Sequence, residues 1–577
     1  IRDLVSRNLG KDGINTVHFG GIPVIRVETL NLIRDDIQVL FPLSLLVIAI
    51  LLIALFRSWL MVLLPLATIM VGTVWTAGAV GWLGISLTPL SAPFPILILI
   101  LSVADGVHFL CRFEAERQAG LSTDSAIIEA GTHVGTACLL TSFTTALGFA
   151  SLLITRMDIL QSFGMVVAIG VGSTYITVMT LLPCGLKLLT SRPSKRKPFH
   201  MAALQTVVHW SSDARNAKAI ASFGFILTAI MAFLASGVSI DYFVLRELPQ
   251  DHPLTETGHR MDQEFGGMSS IEVNLSGPMG TFKSPESLKV LEEIEQAYID
   301  LGIHKPSSFA AVVKELNRHL GDGSFIPDSQ AYISQLLLLL EMGDNFNTES
   351  YVTFDYNQAR LIGSFQDIGA LKFYGFEKEL TKKIETIIEG TDLSFHVTGA
   401  SSVASLGFHT LLGELTLGLA LALGVILVII GVVYRNWRMA IVSIVPNTFP
   451  LFFGLACYAT LGEPLNFASA MIFTIIIGIA VDDTIHVLSR YHEEKSNGKD
   501  GHEAVTAAAT ESLHAILMTT IILVCGFMVL SFSDFPANRS FGFVGSGLVA
   551  SALLADLVFL PALLRTFDKP GSETTHP

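Results

Sequence analysis

Along most of this chain apolar residues run in blocks rather than alternating with polar ones. Eleven blocks are long enough, at about 20 residues, to cross a bilayer as a helix. They fall at 37–56, 59–82, 90–111, 132–154, 161–189, 217–238, 410–434, 437–461, 465–489, 512–533 and 541–564. Between the sixth and seventh blocks the pattern changes. "SSIEVNLSG" and "YVTFDYNQARLIGSF" alternate as strands do. "SPESLKVLEEIEQAYIDLG", "FAAVVKELNRHL" and "YGFEKELTKKIETIIEG" carry the helical period. That succession predicts an α/β domain of βαβ type over 239–405. Within it "SQAYISQLLLLLEM" (329–342) predicts a short apolar helix, read first as core and second as a wall of a hydrophobic pocket.

Composition agrees with a membrane protein. Of 577 residues, 51% are hydrophobic and 15% charged, against about 25% charged in a soluble domain. The net charge is −14, and 239–405 holds 25 acidic and 12 basic residues, so nearly all the excess lies there. An acidic soluble domain argues against nucleic acid as a partner. The five cysteines all lie in apolar blocks, which predicts no disulfide framework and no cysteine zinc site. Basic residues cluster after alternate blocks: Arg57, Arg112 and Arg117, Lys187 to Lys218, Arg435 and Arg438, Arg490 to Lys499, Arg565 and Lys569. The intervening loops 81–94 and 462–466 have none. The positive-inside rule makes the basic loops cytoplasmic and puts 239–405 outside.

The chain also repeats itself. "DGVHFLCRF" (105–113) matches "DTIHVLSRY" (483–491) at an offset of 378 residues, and the offset holds without gaps elsewhere. It pairs His18 with His396, Gly21 with Gly399, Arg57 and Trp59 with Arg435 and Trp437, and Gly84 with Gly462. It also pairs Thr141 with Thr519, Gly148 with Gly526, Phe163-Gly164 with Phe541-Gly542, and Pro183 with Pro561. Both halves start outside and end inside, so the repeat is parallel, about an axis along the membrane normal. The second half carries a leading helix and an outer domain that the first half lacks. The expectation is an N-terminally truncated chain of eleven spans, missing one helix and roughly 200 residues by the repeat's own symmetry. The intact molecule would then have twelve helices and two outer domains.

Ionisable side chains inside spans are costly and mark function. Asp482 and Asp483 precede Arg490 by eight and seven residues, about 10–12 Å of helix. His486 shares their helix face at i+4 and i+3. Asp105 and His108 are the first-half counterparts, with Ala104 in place of Asp482. Neighbouring buried carboxyls can hold one proton between them and titrate as a unit. A proton relay is therefore the leading reading, static helix-packing glue the second, and a metal site the weakest, since nothing completes a ligand set. Thr519 and Thr520, with Thr141 and Ser142 as counterparts, lie at the same depth and either pass protons or bond between helices. Asp556 faces Val178 across the repeat and is expected to pair locally with groups at the cytoplasmic helix ends. Asp36 and Glu414 match each other and are expected to serve as structural carboxylates at outer helix starts.

"GIAVDDTIHVLSRYHEE" resembles the fourth- and tenth-helix motif of the resistance-nodulation-division superfamily, nearest its MMPL-type exporter branch. "LPQDHPL" opening the outer domain, the two "FG" pairs and the "LP" before each half ends support this. The Gly478-to-Asp482 spacing is similar to the GxxxD motif of Patched, Dispatched and sterol-sensing proteins. The resemblance implies a polytopic α-helical membrane protein: a pseudo-twofold parallel repeat of six-helix halves with an α/β porter domain. The implied division is 1–36, end of a first porter domain; 37–190, first bundle; 191–216, cytoplasmic linker; 217–238, helix opening the second half; 239–405, second porter domain; 406–566, second bundle; and 567–577, cytoplasmic tail. It further implies a secondary transporter, not an enzyme, in a bacterial inner membrane with 239–405 periplasmic. Protons would be the coupling ion, with no other cofactor, and Asp482, Asp483 and Asp105 would bind them. Many relatives follow the motif aspartate with tyrosine, a pattern absent here. Implied partners are a hydrophobic or lipid-like substrate, membrane lipids, periplasmic proteins and a second copy of the chain. A proton-driven exporter of hydrophobic or amphiphilic, lipid-like molecules is the leading function. The alternatives are a SecDF-like export accessory and a sterol-sensing-type receptor without transport.

Overall fold

The computed structural model describes residues 19–189, 202–342 and 348–567. His18 of the repeat, residues 1–18 of the first segment, 191–201 of the linker and 568–577 of the tail lie outside the described residues. In chain order the helices are α1 (Ile22–Phe56), α2 (Trp59–Trp82), α3 (Phe94–Gln118), α4 (Thr123–Ala150), α5 (Asp158–Leu189), α6 (Ala202–Ser212), α7 (Ala214–Ala235), α8 (Pro253–Glu264) and α9 (Pro285–Asp300). They continue as α10 (Phe309–Leu320), α11 (Gln330–Glu341), α12 (Ala370–Ile388), α13 (Ala400–Val433), α14 (Trp437–Leu461), α15 (Phe467–Ser496), α16 (Gly501–Leu530), α17 (Pro536–Leu554) and α18 (Leu560–Phe567). The strands are β1 (Ser269–Ser276), β2 (His304–Ser307), β3 (Gln358–Phe365) and β4 (Ser394–Thr398). Among the described residues, eleven helical runs are long and apolar enough to cross a membrane; α17 and α18 form one such run through a π-helical turn at Ala555–Phe559. The chain folds as two units, 30–240 with 411–577, and 1–29 with 241–410.

The helical unit carries the repeat into three dimensions. Shifting α1, α2, α4 and α5 by 378 residues reproduces the bounds of α13, α14, α16 and the α17–α18 run to within two residues. Backbone exceptions repeat as well. Arg57 (φ 50°) and Arg435 (φ 49°) are left-handed, as are Gly84 (φ 67°) and Gly462 (φ 69°). A left-handed non-glycine is uncommon, so finding it twice at one point of the repeat marks a shared turn after α1 and α13. Ring pairs recur too: Phe149–Phe163 at 6.0 Å and Phe527–Phe541 at 5.9 Å.

The two halves meet through α3, α4, α15 and α16, with α4 against α15 and α3 against α16. α3 and α15 are enclosed along most of their apolar length, as helices apolar on every side should be. Gly148 and Gly478 let α4 and α15 approach closely; a methyl group on Gly478 would stand 2.9 Å from the Cα of Thr145. At the matching crossing Ile100 stands where Gly478 does and faces Gly526. α1, α7 and α13 expose apolar side chains such as Ile50, Phe233 and Val428, which suits lipid contact.

Asp36 and Glu414 behave differently from the expectation of carboxylates at their own helix starts, because α1 and α13 begin well before them. Each instead clasps the turn ahead of the last long helix of the other half. Asp36 accepts from the Ser533 hydroxyl, from the Asp534 backbone N–H (3.1 Å) and from Asn538 Nδ2 (3.2 Å). Glu414 accepts from the Arg156 backbone N–H (2.9 Å) and lies 3.5 Å from its guanidinium. Arg156 and Asp534 are themselves a repeat pair.

In the second unit the sheet order is β2-β3-β1-β4 with every neighbour antiparallel. β1–α9–β2 and β3–α12–β4 are thus two split βαβ units, each enclosing a strand of the other in the ferredoxin-like order. Alternate residues Ile271, Val273 and Leu275 of β1 join Leu361 and Phe365 of β3 in the core. Leu291, Ile294 and Tyr298 of α9 and Leu380 and Ile384 of α12 cover them. The other sheet face is polar and holds the Arg360–Glu272 ion pair (2.7 Å). "YVTFDYNQARLIGSF" is a strand only from Gln358; its first part turns back so that Val352 bridges Ala359.

Removing the Asp36 carboxylate strands three donors, of which the Ser533 and Asn538 side chains are buried. Asp36→Ala is expected to cost about 2–4 kcal/mol of stability. Glu414→Ala, whose Arg156 partner is 88% exposed, should cost under about 1 kcal/mol. Thermal unfolding in detergent checks the ranking, and equal losses would contradict it. In the α/β unit, burial pushes the Glu247 carboxyl up to about 7. The folded state therefore keeps a proton that the unfolded state has already released, and stability falls as pH rises from the ordinary glutamate range to about 7, then levels. Glu247→Gln should flatten that slope in a pH series of unfolding curves.

Candidate functional site

The site is built where α3, α4, α15 and α16 enclose one another. Asp105 on α3 accepts 2.8 Å from Ser142 Oγ on α4, and a hydrogen bond from Cys138 supports it. At the repeat position Asp483 on α15 faces Thr520 Oγ1 on α16 at 3.5 Å. The first-half bond is the tighter, because the Thr520 hydroxyl also donates to its own helix at Ile516 O, 2.8 Å away. Thr519 bonds to Ala515 and Ile516 carbonyls and flanks Asp483.

Asp482, the aspartate without a counterpart, turns the other way, toward the first half. It lines a cavity of about 20 Å³ with Asp105, Thr141, Ser142, Thr145 and Ser102, and Thr141 hydrogen-bonds to it. That volume suits one water molecule. So Asp105 and Asp482 share a chamber, while Asp483 looks toward α16.

The repeated histidines meet on the pseudo-twofold axis. His108 and His486 stack with ring centres 3.7 Å apart and planes 5° from parallel. His486 Nε2 lies 3.5 Å from Asp482 Oδ1. Both rings also line a second cavity of about 530 Å³ at the basic-loop end, with Cys111, Arg490, Glu511 and His514 among its walls. Its mouth is laced with charge: Arg490 pairs with Glu493 (2.5 Å), Glu494 (3.0 Å) and Glu511. His133 of α4 bridges to Glu493 of α15 (3.0 Å), tying the halves together there. Asp482 and the histidine pair thus lie between the chamber and the vestibule, with Asp482 and His486 in contact but not hydrogen-bonded.

All nine residues singled out from the sequence fall in this region. Sequence reasoning missed Cys138 and His133, which carry no signal beyond being polar within or beside an apolar block. It also missed Asn447 and Thr484. Asp556 bonds to Thr484 rather than to groups at the helix ends: Thr484 Oγ1 stands 2.6 Å from Asp556 Oδ1 and 3.0 Å from Asn447 Oδ1. The placing of Asn447 between Pro446 and Pro450 was the available clue.

A duplicated multi-pass bundle with carboxyls and stacked imidazoles on its axis, plus a ferredoxin-like insert, defines a membrane transporter fold. The chain belongs to the MMPL family, whose profile matches residues 1–220 and 376–571. It is 34% identical over 362 residues to a membrane protein of Methanocaldococcus jannaschii, covering 59% of this chain and 88% of that one. It is 22% identical over 556 residues to the hopanoid transporter HpnN of Rhodopseudomonas palustris, covering 84% of this chain and 62% of HpnN. Among solved structures, SecDF of Thermus thermophilus, a translocon-associated membrane protein, matches with a TM-score of 0.59 at 15% identity. That match covers 93% of this chain and 62% of SecDF, and it shows the fold alone. The chain thus spans about three fifths of HpnN and of SecDF.

Two imidazolium rings 3.7 Å apart would repel by about 4–5 kcal/mol at an effective dielectric near 20. The pair is therefore expected to take up one proton, not two, in a nitrogen-resolved NMR titration, and His108→Asn should alter the His486 titration. Two independent, full protonations would contradict the stacked geometry.

Proposed function

We propose that this protein is a proton-driven exporter of lipid-like or amphiphilic molecules across a bacterial inner membrane, with 239–405 on the periplasmic side. The carrying observation is the 3.5 Å contact of Asp482 and His486, which links the chamber shared with Asp105 to the vestibule. Protons bind at Asp105, Asp482 and Asp483 from outside, with Ser142, Thr141, Thr519 and Thr520 orienting the carboxyls. They leave past His486 and His108 toward the basic, cytoplasmic loops. A proton bound at Asp482 neutralises one of two carboxyls facing the chamber, removing repulsion between α3 and α15, which carry Asp105 and Asp482 from opposite halves. That gives proton occupancy a handle on how the halves pack. The lipid-like substrate class rests on the likeness to a hopanoid transporter over most of this chain.

The test is transport by the protein reconstituted into vesicles with an imposed pH gradient. Asp482→Asn combined with Asp483→Asn is expected to reduce proton-dependent lipid movement to the level of protein-free vesicles, while Asp36→Asn retains it. Undiminished transport in the double variant would refute the relay. Gradient-dependent movement of unfolded protein but not of lipid would favour the export-accessory reading, and no transport by the wild type would favour a receptor.

A further inference from the structure

The second half holds a polar cluster that the first half lacks. Thr484 Oγ1 sits between Asp556 Oδ1 (2.6 Å) and Asn447 Oδ1 (3.0 Å). All three side chains are buried: Thr484 and Asn447 are 0% exposed and Asp556 3%. The residues 378 positions earlier are Gly106, Ile69 and Val178, so nothing in the repeat requires the cluster. Two local features place it, the second of them without a counterpart in the first half. Asn447 lies between Pro446 and Pro450 within α14. Asp556 rides on the π-helical turn Ala555–Phe559, whereas the matching α5 is continuous. Such turns are frequent at functional sites. A carbonyl in this turn, that of Leu557, is taken up by Ser211 Oγ at 3.3 Å.

The donor count is short by one hydrogen. Thr484 has a single proton for two acceptor oxygens. Turning the Asn447 amide places its unpartnered Nδ2 on Thr484 and frees the threonine proton for Asp556 Oδ1. Asp556 Oδ2 still has no partner. The charged groups acting on Asp556 are Asp482 and, beside it, Asp483. Among the described residues, packed elements α6, α7, α14, α17 and α18 bring His209, Arg215, Lys218, Arg438, Arg539 and Arg565, all within five residues of a helix end, and the titratable Cys457 and Tyr458 of α14. A carboxylate so placed has one hydroxyl donor, no cation and anionic neighbours, and a proton on Oδ2 completes it.

We propose that Asp556 is a further proton-binding carboxyl, held by Thr484 and, through it, by Asn447. It rests on the relay reading above and deepens it by adding a station to the second half beside Asp482 and Asp483. The test is an infrared pH titration of the purified protein, read in the carbonyl stretch of protonated carboxyls. Asp556→Asn should remove one such band that persists in Asp105→Asn and Asp482→Asn. Thr484→Val, nearly the same size and without the hydroxyl, should move that band to higher frequency. Identical bands in wild type and Asp556→Asn overturn the proposal. Band loss confined to the Asp556 variant would keep this station and end the relay reading; loss confined to the other aspartates would do the reverse.

Discussion

A carboxyl group at the depth of the hydrocarbon is tolerable only where protein encloses it and supplies hydrogen-bond partners. Most of the helical unit follows from that constraint. α3 and α15 carry the aspartates and are the most enclosed helices. α4 and α16 supply Ser142 and Thr520 across the same two gaps. The small residues Gly148 and Gly478 bring the α4 and α15 backbones close enough to seal the chamber around Asp482. α7, which carries no carboxyl, leaves apolar side chains such as Phe233 exposed.

Duplication supplies the shell, and departures from it supply the direction. The carboxyl–hydroxyl pairs, the aromatic pairs, the left-handed turns and the carboxylate clasps all obey the 378-residue offset. In the stacked histidines a residue meets its own counterpart, as groups on the axis can. Asp482, Asn447, Thr484 and Asp556 break the symmetry, and all lie in the second half. A strictly twofold site would offer a proton two equal exits. Here Ala104 stands at the position matching Asp482, so the 3.5 Å contact of Asp482 with His486 has no twin in the first half.

Eleven spans, the parallel repeat and the place of the Asp–His motif within its helix were legible in the sequence, because apolar length, sequence offset and helical period are local quantities. The long strands β1 and β3 were legible too, being half-buried and therefore alternating. The edge strands β2 and β4 were not: "HKPS" is four residues with a proline, and "SFHVT" is only partly covered, so neither carries a clean period. The partners of Asp36, Glu414 and Asp556 were also out of reach, since each reaches a segment dozens to hundreds of residues away in the chain. The sequence by itself determined which helices bear charge and that they come in pairs. Only the tertiary structure decided that Asp482 turns toward the first half and Asp483 away from it. On a helix, consecutive side chains diverge by about 100°, and which neighbour fills each direction depends on packing that no local pattern records.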